Sequence, residues 1–112
     1  MKLITAIIRP HKLDDLEVAV GQIGVNGMTV TEVHGYGAQH GHAEVYRGAN
    51  YVIEFVPRTQ VQIAVDDSIV EAVVEAIANV TRTGKVGDGR IFVADIEQAI
   101  RIRTGETGVS AT

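Results

Sequence analysis

Apolar positions along this chain change their period four times, and the changes mark its elements. Residues 2–9 (KLITAIIR) are apolar on both alternating sides, with Ile4, Ala6 and Ile8 on one and Leu3 and Ile7 on the other. That is the pattern of a strand buried on both faces, and Pro10 ends it. From Lys12 to Ile23 the period lengthens: Leu13, Leu16, Val20 and Ile23 share one helical face, with Asp14, Asp15 and Glu17 in the first turn, where the helix dipole favours anions. Gly24 is the expected C-terminal cap. Residues 28–36 return to alternation, setting Met28, Val30 and Val33 against Thr29, Thr31 and His34.

After a long aperiodic stretch the same sequence of periods recurs. Gln60–Val65 alternates Val61, Ile63 and Val65 with Gln60, Gln62 and Ala64. Ser68 and Glu71 have the spacing of a capping box, and Val70, Val73, Val74, Ile77 and Val80 continue a helix that ends near Thr83-Gly84. Arg90–Ile96 predicts a fourth strand, and Ile100–Arg103 a short fifth. The small, polar tail from Gly105 to Thr112 is expected to fray. The order β-α-β, long loop, β-α-β predicts an α+β fold, the ferredoxin-like double βαβ. Two helices cover one face of a four-stranded sheet, so strands apolar on both faces predict that the second face packs on other copies of the chain.

Composition narrows the chemistry. A length of 112 residues suits one domain with a real core. With no Trp, two Phe and three Tyr, that core must be aliphatic. The absence of Cys excludes disulfides, thiolate nucleophiles and Cys-based zinc sites. The formal net charge of −4 argues against bulk nucleic acid as the main partner. Yet Arg82, Lys85, Arg90, Arg101 and Arg103 place five of the ten basic residues in the last third, leaving room for a local anion site. No signal-peptide pattern or membrane-length apolar run is read, so a cytoplasmic protein is expected.

Three stretches carry candidate chemistry. The first, Gly35–Arg58, is a long glycine-rich insertion with no apolar period of its own, the kind a domain keeps for use. The second is TGKVGDGRIFV (83–93), in which Gly84, Gly87 and Gly89 let backbone amides converge beside Lys85 and Arg90 as a phosphate nest. It is neither a Walker A loop nor a dinucleotide-binding loop, and an ordinary helix-to-strand connection is the competing reading. The third is Ile100–Arg103, where alternation would point Arg101 and Arg103 to one side for bidentate phosphate contact. A solvated edge bearing charges that discourage strand pairing is its competing reading. His34, His40 and His42 cluster with Glu44, but His-x-His on a loop lacks a closed zinc spacing, and solvated histidines are the expectation.

MTVTEVHGYG (28–37), GHAEVYRGANY (41–51), TGKVGDGRIFV (83–93) and IRIRTGE (100–106) together resemble the PII nitrogen-regulatory signal proteins, over essentially the whole chain. The resemblance implies a non-enzymatic homotrimer of ferredoxin-like subunits with a nucleotide site in each cleft between subunits, where ATP and ADP compete. It makes 1–112 a single PII-like domain, with about 37–55 as the T-loop, about 82–90 as the B-loop and about 100–112 as the C-terminal segment. By position, Gly87, Asp88, Gly89 and Arg90 would wrap the phosphates, with Arg101 and Arg103 reaching from the adjoining subunit. Thr29, Gly35, Gly37, Ala38 and Ala64 would lie around the base, the ribose or the phosphates.

The same resemblance implies that 2-oxoglutarate binds with ATP and Mg²⁺ at the base of the T-loop. Gln39 would ligate Mg, amides near Gly41 and Gly87 would hold carboxylates, and Arg58 would pair with the distal carboxylate. Position 58 is Arg where the family usually has Lys, and position 90 is Arg where Lys is common. Tyr51 matches the tyrosine that many relatives carry as a nucleotidylation site for UMP or AMP. Arg47 would contact a partner: an ammonium transporter, reached at the membrane through that protein alone, a nucleotidyltransferase or a metabolic enzyme. A specialised paralogue serving another transporter or bicarbonate metabolism shares these features. A small phosphotransferase would need His34 or His42 as nucleophile, and an RNA-binding module would need aromatics that QVQIAV (60–65) lacks.

Overall fold

The computed structural model describes residues 1–36 and 55–112. Its elements run β1 (Lys2–Ile8), a 3-10 turn at Pro10–Lys12, α1 (Leu13–Gly21), β2 (Thr29–Gly35), β3 (Val56–Val65), a 3-10 turn at Asp67–Ile69, α2 (Val70–Thr81), β4 (Arg90–Asp95) and a 3-10 turn at Gly108–Ala111. The sheet order is β2-β3-β1-β4 with every neighbouring pair antiparallel. This is the double βαβ fold that the alternation of periods predicts.

Register decides which side chains meet the helices. Ile4 pairs with Ile63 and Ala6 with Val61 on one side, and with Val93 and Ile91 on the other. Directly opposed residues share a sheet face, so these positions form one apolar surface. Leu16 and Val20 of α1 and Val73 and Ile77 of α2 close over it, and all of these helical side chains are buried. The Thr81 hydroxyl, also buried, donates to the Ile77 carbonyl at 2.8 Å, so the core carries no unpaired group there.

The opposite face of the sheet carries Leu3, Thr5, Ile7, Gln60, Gln62, Ala64, Phe92 and Ala94, which alternate with the core positions. Phe92 is about half exposed. Val33 belongs to this face as well, because it pairs with Arg58, out of phase with Val30, which pairs with the buried Val61. Grouping Val33 with Met28 and Val30 is therefore corrected: strict period-2 parity overrides its apolar character.

Several boundaries also move. β3 begins at Val56 rather than at Gln60. Pro57 is tolerated because β1 ends opposite Thr59, leaving only β2 alongside. The start of α2 uses no Ser68–Glu71 capping box. Instead the Asp66 carboxylate accepts the Ser68 amide at 3.3 Å and the Ser68 hydroxyl, and a 3-10 turn leads into the helix at Val70. The Ser68 hydroxyl, and then its amide, hold the Asp66 carboxyl below the usual range.

The expected fifth strand is replaced by a tight reversal. The Arg101 amide donates to the Glu106 carbonyl and the Gly105 amide to the Arg101 carbonyl, both at 2.8 Å, with an isolated bridge between Ile100 and Thr107. The tail, expected to fray, is drawn back instead of extended: the Gly108 amide donates to the Ala99 carbonyl at 3.1 Å and Gly108–Ala111 closes a 3-10 turn. Apolar alternation over four residues reads as a strand, but the glycine at 105 lets the chain double back before a partner strand is met.

Candidate functional site

The loop between α2 and β4 is built around one carboxylate. Asp88 accepts the amides of Thr83 and Gly84, each at 2.8 Å, and the Thr83 hydroxyl. The Thr83 hydroxyl in turn accepts the Lys85 amide at 3.2 Å. The Thr83 hydroxyl, then its amide, hold the Asp88 carboxyl far below the usual carboxylate range. Gly87 and Gly89 take φ of 100° and 102°, conformations that side chains with a Cβ rarely adopt. Gly89 also touches β1 so closely that a Cβ there would lie 1.7 Å from the Ile7 carbonyl oxygen.

Arg9, just past β1, holds this loop from outside. Its Nη2 donates to the Val86 carbonyl at 2.9 Å and its Nε to Asp88 at 3.4 Å. A second guanidinium arrives from β3. The Arg58 stem passes 3.3 Å from the Cβ direction of Gly35, and its Nη2 lies 3.0 Å from that of Gly87, beside Arg9 Nη2 at 3.2 Å. Arg58 Nη1 donates to the Pro57 carbonyl at 2.8 Å. Two permanent positive charges thus meet at Gly87, and among the described residues the acidic side chain paired with Arg9 there is Asp88, already engaged by loop amides. Such a point favours an anion.

The rims of the long loop converge on the same end of the sheet. Gly35 pairs with Val56, and the rings of Tyr36 and Phe55 pack with centroids 5.5 Å apart. Gly37, Ala38, Gln39, Gly41, Arg47 and Tyr51, together with His40, His42 and Glu44, lie outside the described residues. His34 is exposed on β2.

The remaining candidate residues sit elsewhere. Ala64 pairs with Leu3 and Thr29 with Gln62 on the open face, away from the Arg9–Gly87 end. β4 starts beside Ile7 and ends at Asp95 beside Lys2, with the Ile96 amide on the Met1 carbonyl at 3.1 Å. The segment bearing Arg101 and Arg103 therefore leaves the sheet at the far end, roughly 17–20 Å from the glycine loop at about 3.3 Å per strand residue. Gly35, Arg58, Gly87, Asp88, Gly89 and Arg90 form one group; Thr29 and Ala64 lie toward the far end, from which Arg101 and Arg103 follow. Arg9 is the residue the sequence reading missed, since its partners lie 77 and 79 positions away.

A model of the family described as nitrogen regulatory protein P-II matches residues 1–106. The chain belongs to that family. It is 53% identical over 111 residues to a nitrogen regulatory protein P-II of Rhizobium meliloti (strain 1021), covering 99% of both chains. It is 55% identical over 111 residues to one from Cereibacter sphaeroides, again covering 99% of both. Nitrogen regulatory protein P-II 1 of Escherichia coli (strain K12) is 54% identical over 106 residues, 95% of each chain. The P-II match spans both groups of candidate residues up to Glu106. The relatives are named as regulatory proteins, and among the described residues no helix is long and apolar enough to cross a membrane.

Proposed function

We propose that this P-II chain is a sensor of ATP, ADP and 2-oxoglutarate that assembles as a homotrimer and controls partners through residues 37–55. The observation that carries the reading is the convergence of Arg9 and Arg58 on Gly87 at one end of the sheet, with Thr29 and Ala64 toward the other. One chain alone keeps these groups apart. A neighbouring copy docked on the open face, where Phe92 is half exposed, could bring the Arg101–Arg103 segment of one subunit to the glycine loop of the next.

In that cleft the amides of Gly87 and Gly89 and the side chain of Arg90 receive phosphate oxygens. The Asp88 carboxylate shapes the loop rather than touching the ligand, since a carboxylate repels phosphate. Mg²⁺ would be held by Gln39 and the phosphates, and it would orient the oxoglutarate carboxylate there. Arg58 takes the distal carboxylate of 2-oxoglutarate, and Arg9 keeps the glycine loop in place beneath it. Arg47 and Tyr51, the latter a nucleotidylation candidate, face the partner: an ammonium transporter, a nucleotidyltransferase or a metabolic enzyme. Ligand and partner are linked because each prefers one arrangement of the same segment.

Calorimetry with ATP, Mg²⁺ and 2-oxoglutarate tests the proposal. Oxoglutarate heat should appear only when ATP and Mg²⁺ are present. Heat that is unchanged when ATP is left out would sink the coupled site.

A further inference from the structure

The C-terminal segment closes on itself around one ion pair. Among the described residues, every hydrogen bond formed by residues 97–112 stays within that segment. Glu106 sits at its centre: Oε1 accepts from Arg101 Nη1 at 3.2 Å and from the Thr104 hydroxyl at 2.9 Å. Arg101 Nη2 donates to the Ser110 carbonyl at 2.8 Å. Arg101 therefore already holds an anion of its own chain, while Arg103, two positions on, has no ion pair among the described residues.

We propose that Glu106 is a built-in anion that occupies Arg101 until a phosphate group displaces it. The inference rests on the nucleotide site proposed above and assigns Glu106 a role in setting its affinity. Arg101 and Glu106 are 41% and 45% exposed, so the pair is weak and exchangeable. A triphosphate offers more charge and a bidentate set of oxygens to the same guanidinium. Binding then replaces a carboxylate rather than water, which raises the ligand concentration needed and disfavours weak monoanions. The exchange also frees the Ser110 carbonyl, linking occupancy of Arg101 to the order of the Gly108–Ala111 turn.

ATP affinity of the full chain, measured by calorimetry with Mg²⁺ at low and high salt, decides the matter. Glu106→Gln keeps an acceptor for Arg101 and Thr104 but removes the charge. It should bind ATP about two- to fivefold more tightly at low salt, with the gain fading as salt screens the pair. Thr104→Ala, which loosens Glu106 without changing charge, should shift affinity in the same direction by less. Glu97→Gln removes an equal charge from an exposed position whose side chain makes no hydrogen bond among the described residues and should change little. Unchanged or weaker binding by Glu106→Gln overturns the proposal, and weaker binding would make Glu106 a brace for Arg101. An equal gain from Glu97→Gln overturns it too, as bulk charge. Wild-type protein that binds no ATP removes the nucleotide site itself, a result distinct from failure of the variant.

Discussion

Gly89 and the carbonyl of Ile7 are in such close contact that a Cβ on Gly89 would stand 1.7 Å from that oxygen. The turn entering β4 is thereby fitted to the backbone of β1, and no flexible side chain is available to yield. Gly89→Ala should cost at least about 2–3 kcal/mol in chemical denaturation. Gly84→Ala meets open space and bears only the strain of a positive φ, about 1 kcal/mol. Equal losses at the two positions would contradict the packing argument.

Asp88 makes the glycine loop acid-resistant. Its folded carboxyl ionises far below the usual range because the Thr83 hydroxyl and amide and the Gly84 amide favour the charged form. The order it confers is complete above the ordinary carboxylate pKa of about 3.9 and is lost only as pH falls well below that value. Hydrogen exchange at the Thr83 and Gly84 amides should stay slow, relative to intrinsic rates, at about pH 4. Asp88→Ala, which removes the one oxygen that accepts both amides, should leave both fast-exchanging at neutral pH.

Arg58 is expected to select the dicarboxylate. Arg58→Ala should lower 2-oxoglutarate affinity about ten- to hundredfold, the weight of a charge-assisted hydrogen-bond pair. ATP binding in the same titration should change much less, and Arg58→Lys should recover part of the loss. Calorimetry in the presence of ATP and Mg²⁺ reads both.

Phe92 tests the assembly. It lies about half exposed on the face of β4 away from the helices. Phe92→Glu should shift the sedimenting species from trimer to monomer while leaving helix content unchanged, because a buried carboxylate at a subunit contact is costly. A wild-type chain that sediments as a monomer would remove the composite cleft.

The aliphatic core sets stability. Ile63→Ala, at a fully buried position opposite Ile4, should cost about 2–5 kcal/mol. Val18→Ala, on the exposed side of α1 at 63% exposure, should change stability by less than about 0.5 kcal/mol.

Much of this fold is legible along the chain because burial imposes a local period. Ile4, Ala6 and Ile8 announce a strand face without reference to their partners, and Leu16, Val20, Val73 and Ile77 announce helix faces in the same way. Gly84, Gly87 and Gly89 mark a turn whose backbone conformation only glycine adopts readily. The misreadings have local causes too. Ile100–Arg103 alternates like a strand, yet Gly105 and Glu106 fold it back on itself, and Val33 is apolar but falls on the wrong parity for the core.

Position in space is a different matter. Arg9 following a strand has no local signature; it becomes a brace because antiparallel pairing carries β4 and its leading loop to the same end of the sheet. The same pairing sends Arg101 and Arg103 off the other end. Residue type and spacing alone mark a glycine-rich loop and an arginine pair as candidates for phosphate binding. Only the register of the sheet decides that the two lie apart in one chain, because hydrogen bonding between strands is a long-range match that no short window of residues contains.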